Sequence, residues 1–460
     1  MWDAVQLRAV PPGAAPPETS ATRTPSEFDD TVPEFSPDYT EVEFLLAGTA
    51  KTYAGPAVGP TTVTSSGHRY VTRVLARCPR QRQRFSGRVL IEPFNTTYGV
   101  DRDALWSHVA GLLQAQGDAW IGISVRASSA DQLKQRDPQR YAGVDISSNE
   151  LEWDMLRALG ALVKQGGEHT PLHHLSVRHV YLGGYSQSGV DTATFAAAFG
   201  ARIRTADGRT VYDGFFPACH AASMTPLAVG EAELPRFEYA SMPAIGIPVI
   251  EVQPQCDVEG FSFEQFVNPG SASVRRDDSD TAADRFRLYE IAGAPHAAKI
   301  AGCDGNGSSY PMSAFVRAAL RHLFLWAEQG LVPPRAPRIA LQIDDTVAEA
   351  SVDRFGNAIG GVPSPFLNAP IACYEVHSTP GPLCKLAGRE TLLPYEVLAG
   401  RYGDLGTYLA EFTISLDDTI RAGFLLGGDR AALLGTQTTK ARAAFSSFAN
   451  LAATQRASAT

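Results

Sequence analysis

Several features that would point to a membrane or to nucleic acid are missing from this 460-residue sequence. No apolar run approaches the roughly 18 residues that a membrane-spanning helix requires. Acidic residues outnumber basic ones by 49 to 40, which gives a net charge of −9 and a pI near 5.6. Nucleic-acid binding requires the opposite, a basic surface. The sequence therefore predicts a small-molecule partner, with no nucleic acid and no membrane.

Cysteine is also scarce, and its spacing carries no metal or disulfide signature. None of the six cysteines forms a C-x-x-C pair, so we expect free, buried thiols; they are Cys78, Cys219, Cys256, Cys303, Cys373 and Cys384. Residues 304–308 imitate the start of a calcium loop, but the twelfth position is Phe315 instead of the bidentate Glu that such a site needs. We therefore predict no metal and no other cofactor.

The first residues show neither an export signal nor a folding pattern. The opening MWDAVQLRAVPPGAAPPETS has no basic start followed by an apolar block, so we expect a cytoplasmic protein. Residues 1–36 are rich in Pro, Ala, Ser and Thr, a composition that buries too little apolar surface to fold alone. They are predicted to form a flexible arm.

The rest of the chain changes from a strand pair to strands that alternate with helices. Residues 41–46 and 69–76 are predicted to form an antiparallel entry pair. Strands predicted at 87–92, 119–125, 179–182, 212–216, 248–253 and 286–291 then alternate with helices, among them 101–116, 313–329 and one opened by a capping box at Ser147 and Glu150. Such alternation indicates a mostly parallel sheet. Residues 37–336 are therefore predicted to form one α/β-hydrolase catalytic domain, and residues 337–460 a helical, loop-rich extension that packs on it and could cover the cleft.

The stretch YLGGYSQSG, residues 181–189, has the pattern of a nucleophile elbow centred on Ser186. It links an apolar strand to an Ala-rich helix, and small residues stand two positions before and after the serine, at Gly184 and Ser188. Small residues there permit the sharp turn that exposes the serine Oγ. A glycine-rich turn can instead cradle a phosphate, but the chain lacks a Walker lysine and has no G-x-G-x-x-G after its first parallel strand.

A base and an acid follow the serine at the ends of later predicted strands. Asp257 comes shortly after strand 248–253, and His296 follows strand 286–291 through a Gly and Pro turn. The order Ser186, Asp257, His296 is the order of acyl hydrolases on this type of sheet. Glu259, two residues beyond Asp257, is the alternative acid.

An oxyanion formed by attack on a carbonyl requires two preorganised donors. The backbone amide of Gln187, at the helix start, is predicted to be one of them. The second is expected from the loop after the first parallel strand, at Asn95 or Thr96.

Several strings, GRVLIEPFN, GDAWIGISV, GYSQSG, YEIAGAPHA and GNAIGGVPSP, together resemble a family of α/β-hydrolase-fold proteins described as alpha/beta hydrolase domain proteins. The resemblance extends over about residues 40–430. It implies a doubly wound sheet and a triad of Ser, acid and His, which falls on Ser186, Asp257 and His296. The sequence Gln255-Cys256-Asp257 departs from the pattern, because relatives have two acidic positions at this turn.

The predicted function is cofactor-independent hydrolysis of a small-molecule carboxylic ester through an acyl-enzyme on Ser186. An acyltransferase or cyclase with the same triad is an alternative, since it differs only in what captures the acyl group. A non-catalytic small-molecule binding protein on the same fold is the second alternative.

Residues 337–460 require an explanation of their own. Asp404 can cap a helix whose apolar residues recur at helical spacing as far as Ile420. Before it lies a long loop rich in Gly and Pro, and long ordered loops are often functional. We predict that residues 356–365 form one wall of the acyl pocket; the alternative is a buttress on the far edge of the sheet.

Overall fold

A ten-stranded sheet lies at the centre of the computed structural model, which describes residues 5–10, 35–97, 99–167, 170–228, 237–263, 266–343 and 348–457. Its strands are β1 (Gln6–Ala9), β2 (Tyr39–Ala54), β3 (Thr62–Pro79), β4 (Arg88–Pro93), β5 (Ala119–Ile123), β6 (His179–Tyr185), β7 (Gly214–Ala218), β8 (Val249–Pro254), β9 (Ser279–Thr281) and β10 (Asp284–Ile291). They lie in the order β1-β2-β3-β5-β4-β6-β7-β8-β10-β9.

The middle of the sheet is parallel and its two edges are antiparallel. Strands β5, β4, β6, β7, β8 and β10 are parallel to one another. At one edge β1, β2 and β3 pair in antiparallel fashion and β3 joins β5 antiparallel, and at the other edge β9 pairs antiparallel with β10. Almost every residue of the central strands is buried, as expected when helices cover both faces of a parallel sheet. The predicted α/β-hydrolase fold is confirmed.

Ten helices accompany the sheet in the described residues. They are α1 (Ala104–Gln116), α2 (Ala127–Arg136), α3 (Glu152–Gln165), α4 (Gln187–Phe195), α5 (Gln255–Glu259), α6 (Met312–Gln329), α7 (Pro365–Asn368), α8 (Tyr395–Tyr402), α9 (Leu405–Arg421) and α10 (Arg430–Ala457). The apolar faces of α3 and α4 share one buried cluster with the sheet, and those of α1, α6 and α9 share a second. No helix in the described part of the chain is long and apolar enough to cross a membrane.

Short elements complete the structure. Two-stranded ribbons pair Ser223–Met224 with Glu238–Tyr239, Phe261–Phe263 with Phe266–Asn268, Leu341–Ile343 with Ala348–Ala350, and Ala372–Glu375 with Arg389–Leu392. Single turns of 3-10 or π helix occur at Arg82–Arg84, Asn149–Leu151, Ala196–Gly200, Ala272–Val274, Pro382–Leu386 and Gly427–Asp429.

Several predicted element boundaries change in the structure. The antiparallel entry pair is confirmed, but both strands are far longer than predicted because they form one extended hairpin, β2 and β3. The capping residue before α3 is Ser148, not Ser147, since the Ser148 side chain accepts from the Glu150 amide. Part of the predicted flexible arm is ordered, because Gln6–Ala9 pairs with β2 as an edge strand. Arm residues 11–34 lie outside the described residues.

The C-terminal region packs on the helical layer formed by α1 and α6. Tyr408, Phe412 and Leu416, on α9, are fully buried in the same apolar cluster as these helices. The predicted cap is confirmed, as Asp404 accepts from the Thr407 amide at 2.8 Å.

One prediction about cysteine is wrong. Cys303 and Cys384, which are 81 residues apart, form a disulfide, whereas Cys78, Cys219, Cys256 and Cys373 are free. The sequence gives no sign of this bond, because the two cysteines meet only when the loop after β10 packs against the C-terminal region.

Candidate active site

The turn at Ser186 has the backbone geometry of a nucleophile elbow. Ser186 has φ 60° and ψ −124°, a strained conformation for a residue with a side chain, and such strain persists mainly at functional sites. A Cβ on Gly184 would lie 2.0 Å from the carbonyl oxygen of Ser188, and one on Gly189 would lie 2.3 Å from that of Ala218. Glycine is therefore required at both positions.

The serine at position 188 fits because its hydroxyl is used inside the turn. Ser188 is fully buried, and its Oγ both accepts from the Tyr185 amide and donates to the Tyr185 carbonyl, at 3.0 Å each. This pair of hydrogen bonds closes the strand end onto the first turn of α4. The departure from glycine two residues after Ser186 thus leaves the elbow intact.

Ser186, His296 and Asp257 are joined by two hydrogen bonds. His296 Nε2 lies 2.9 Å from Ser186 Oγ, and His296 Nδ1 lies 2.8 Å from Asp257 Oδ1. An ionised carboxylate can only accept, so Nδ1 carries the proton and Nε2 can accept from the serine hydroxyl. Asp257 is fully buried, and the His296 side chain is 12% exposed. The three predicted residues are therefore brought together in the orientation that base catalysis requires.

Sheet topology explains this meeting. Strands β6, β8 and β10 are parallel, so the turns that follow them lie at the same edge of the sheet. Ser186 follows β6, Asp257 is on α5 directly after β8, and His296 follows β10. The Tyr185 hydroxyl also donates to the His296 carbonyl at 2.9 Å, which ties the serine turn to the histidine turn.

Glu259, the alternative acid, contacts a different histidine. Its Oε2 lies 3.0 Å from Nε2 of His377, and its Oε1 accepts from the Gln255 side chain at 2.8 Å. Burial alone would raise the pKa of Glu259, but these hydrogen bonds outweigh burial and lower it. Of the two carboxylates, it is Asp257 that contacts His296.

The loop after β4 lies beside Gln187, as the oxyanion prediction requires, but its amides are engaged. The Asn95 amide donates to the Arg102 carbonyl at 2.9 Å, so it is not offered to a ligand. The Thr96 amide and hydroxyl contact the side-chain oxygen of Gln187 at 2.7 and 3.1 Å. The Gln187 amide lies in the first turn of α4, where a helix leaves amides without an intrahelical partner.

A cavity of about 220 Å³ opens at Ser186 and His296. Most of the other side chains that line it are apolar or aromatic, including Ala104, Tyr185, Pro295, Tyr310, Met312 and Leu386. No residue of 356–365 lines it, so the predicted pocket wall is wrong. That loop instead follows the edge of β10, where the Val362 amide donates to the Glu290 carbonyl at 2.8 Å. Leu386 is the contribution of the C-terminal region to the cavity.

Two histidines that the sequence left without a role have different positions in the structure. His108, on α1, lines the cavity; its ring stacks on Tyr185 with centroids 4.2 Å apart, and its Nδ1 lies 2.8 Å from Ser313 Oγ. His108 lies near the start of the helix that follows the loop after β4, and this position in the sequence could have indicated that it lies close to the site. His220 is fully buried outside the cavity, and burial lowers its pKa to about 4.

The fold and this arrangement define the class: a parallel α/β sheet with a nucleophile elbow, as in α/β hydrolases. In the described residues no cluster of three or more His, Cys, Asp or Glu side chains could hold a metal ion. The chain belongs to the alpha/beta hydrolase domain family, whose profile matches residues 13–435. No curated protein sequence matches the chain.

Solved structures with similarity to the chain are of low sequence identity. A serine hydrolase homologue from Coxiella burnetii is 15% identical, with 50% of this chain and 85% of that chain covered and a TM-score of 0.28. Est1E from Butyrivibrio proteoclasticus, solved with ferulic acid, is 12% identical, with 55% and 96% covered and a TM-score of 0.33. A putative dienelactone hydrolase from Klebsiella pneumoniae is 12% identical, with 62% and 99% covered and a TM-score of 0.29.

Proposed function

We propose that the protein is a cofactor-independent serine hydrolase that cleaves a carboxylic ester of a small molecule through an acyl-enzyme on Ser186. The observation that carries the proposal is a continuous pair of hydrogen bonds, 2.8 Å from Asp257 to His296 and 2.9 Å from His296 to Ser186, with Ser186 and His296 both lining a cavity. Such an arrangement activates an otherwise weak nucleophile.

In the proposed mechanism, Ser186 Oγ attacks the ester carbonyl while His296 Nε2 takes its proton. His296 then gives that proton to the leaving alkoxide, which departs as an alcohol and leaves an acyl-enzyme. Water, deprotonated by the same Nε2, attacks the acyl carbon and releases the acid and the free serine. Asp257 holds the Nδ1 proton throughout and stabilises the imidazolium that forms at each attack.

We assign the oxyanion donors to the amides of Gln187 and Thr96. Asn95 is left out because its amide is bonded to Arg102. The Thr96 amide already donates to a carbonyl-type oxygen, that of the Gln187 side chain. In this scheme the Gln187 side chain gives up that contact when the substrate oxyanion arrives. Each such donor is worth about 2.7 to 4 kcal/mol of transition-state stabilisation.

The cavity supports a small ester with an apolar acyl group. Its volume of about 220 Å³ and its apolar lining favour a short chain or a small ring. The experiment is hydrolysis of 4-nitrophenyl butyrate by the wild type, Ser186→Ala and Ser313→Ala. Ser313 is a matched control, because its hydroxyl lines the same cavity but bonds to His108. We expect Ser186→Ala to lose activity by several orders of magnitude and Ser313→Ala to keep most of it.

Product analysis separates hydrolysis from acyl transfer. With an alcohol added at a concentration far below that of water, a hydrolase yields the free acid as the main product. An acyltransferase yields mainly the new ester, because it excludes water from the acyl-enzyme. Predominant ester would replace the proposal with the transferase alternative.

The cytoplasmic location remains a prediction, and the disulfide between Cys303 and Cys384 argues against it. Such bonds persist mainly in oxidising compartments and are rare in the cytosol. Titration of thiols in denatured protein taken directly from its source cells, with alkylation at lysis, would decide. Four reactive thiols would mean that the disulfide is present, and six that the cytoplasmic state is reduced.

A further inference from the structure

One segment of the C-terminal region, residues 377–388, contacts both turns that carry the proposed base and acid. We propose that this segment, which we call the brace, holds the His296 turn against the Asp257 turn, and that His377 is its positioning residue. The proposal rests on the proposed function, because it concerns the geometry of the same triad. It gives the C-terminal region a part in catalysis that does not require contact with the substrate.

The brace is bonded to the histidine turn through the residue next to His296. The Ala297 amide donates to the Leu386 carbonyl at 2.9 Å, and the Ala297 carbonyl accepts from the Gly388 amide at 3.0 Å. Both backbone groups of Ala297 are therefore fixed by the brace. The disulfide between Cys303 and Cys384 links the same loop to the brace, six residues beyond Ala297.

The brace is bonded to the acid turn on both sides of Asp257. The Cys256 thiol donates to the Lys385 carbonyl at 3.3 Å, and Glu259 Oε2 lies 3.0 Å from His377 Nε2. Burial raises the pKa of the Cys256 thiol, so it stays protonated and able to donate. Asp257 lies between these two residues in the chain, so contacts of the brace on both sides hold it in place.

A third link joins the two turns directly. The Gln255 side chain donates to Glu259 Oε1 and accepts from the Gly293 amide, at 2.8 Å each. Gly293 lies in the turn between β10 and His296. The buried side chain of Gln255 therefore connects Glu259, which the brace contacts, to the histidine turn.

The two ring nitrogens of His377 contact one segment each. Its Nδ1 lies 2.6 Å from the Lys385 carbonyl, and its Nε2 faces the Glu259 carboxylate. A backbone carbonyl can only accept, so Nδ1 donates to Lys385 within the brace. Through Nε2 the same ring joins the brace to the acid turn. Its other neighbour with a titratable group, Cys256, has its sulfur 3.8 Å from Nδ1.

The test compares His377→Ala with His322→Ala. His322 is a matched control, because its Nε2 also hydrogen-bonds to a backbone carbonyl of the C-terminal region, at 2.8 Å from the Gly423 oxygen. Unlike the triad residues Ser186 and His296, it does not line the cavity. We expect His377→Ala to lower kcat about tenfold, with KM changed less than twofold, because catalytic groups shift while the cavity remains. His322→Ala should lower the melting temperature but leave kcat unchanged.

Two further arms keep the result interpretable. His377→Gln retains one donor and should recover part of the lost kcat, and reduction of the disulfide in the folded wild type should lower kcat without a change in the other residues. Equal kcat losses in the His377 and His322 variants, or kcat within twofold of the wild type in His377→Ala, would overturn the brace. A wild type that neither turns over esters nor reacts with a fluorophosphonate would instead overturn the proposed function.

Discussion

Two histidine–carboxylate pairs lie at the same edge of the sheet, and only one reaches a nucleophile. Asp257 contacts Nδ1 of His296 at 2.8 Å, and the other ring nitrogen faces the Ser186 hydroxyl. Glu259 contacts Nε2 of His377 at 3.0 Å, and the other ring nitrogen faces a backbone carbonyl. The two acids are on the same short helix, α5, two residues apart.

The two pairs differ in the group that faces the second ring nitrogen of each histidine, the one that does not contact the carboxylate. A serine hydroxyl can donate a proton, so the neutral ring of His296 can accept it and act as a base. A carbonyl has no proton to give, so His377 must donate to it and serves to hold two segments together. Under the proposed mechanism, the same residue types supply a base in one pair and join two segments in the other, and the experiments below remove one role at a time.

The largest effect is expected from Asp257→Asn. The asparagine can donate to Nδ1 and favour the wrong tautomer of His296, so turnover of a 4-nitrophenyl ester should fall by about 10⁴. Steady-state kinetics at pH 8 would measure the loss. A fall of less than tenfold would mean that Asp257 is not the orienting acid.

Glu259→Gln should have a far smaller effect. It weakens the contact to His377 without touching His296, so we expect kcat to fall about tenfold, as for a small displacement of the catalytic groups. The same kinetic assay applies. If Glu259→Gln were more damaging than Asp257→Asn, the roles of the two pairs would have to be exchanged.

The contact of His296 with Asp257 and Ser186 was predictable from the sequence because each of its parts is local. The elbow at Ser186 and the Gly and Pro turn before His296 are short patterns, and the parallel sheet places strand ends together whatever the rest of the chain does. The supporting pair was not predictable. Glu259 and His377 are 118 residues apart, and nothing near His377 in the sequence indicates its partner.

Other differences have similar physical causes. The loop 356–365 resembles a functional loop in composition, yet its glycines serve a close approach to the backbone of the sheet edge: a Cβ on Gly361 would lie 2.8 Å from the Glu290 carbonyl. Ser147 and Ser148 are both good capping residues, so the sequence alone could not choose between them.

Leu386→Ala should change acyl-chain preference by several-fold. Leu386 belongs to the brace and also lines the cavity, so its loss enlarges the space next to the base. A series of 4-nitrophenyl esters from acetate to octanoate should show a shift toward longer chains, since each buried methylene is worth about 0.8 kcal/mol.

Ser364→Ala is the control for this shift. Ser364 belongs to the loop 356–365, does not line the cavity, and accepts a hydrogen bond of 2.8 Å from the Tyr310 hydroxyl. The chain-length profile of Ser364→Ala should therefore match that of the wild type. A shift with Ser364→Ala but not with Leu386→Ala would restore the 356–365 loop as the pocket wall.

The smallest effect concerns stability at low pH. The pKa of Glu259 is lowered in the folded state, so its ionised form stabilises the protein above the ordinary pKa of about 4.3, and this contribution is lost as pH falls through the lowered value. The melting temperature of the wild type should exceed that of Glu259→Gln by a few degrees at pH 6 and converge with it near pH 3. A gap that does not change between these pH values would contradict a stabilising contact between the ionised Glu259 carboxylate and His377.

The central claim is that Ser186 is the nucleophile activated by His296 and Asp257. Intact-mass measurement of fluorophosphonate labelling in four parallel samples tests it most directly. The wild type should gain one adduct and Ser186→Ala none. Glu259→Gln should form its adduct about tenfold more slowly than the wild type, and Asp257→Asn far more slowly still. Labelling of Ser186→Ala at the wild-type rate would contradict the claim.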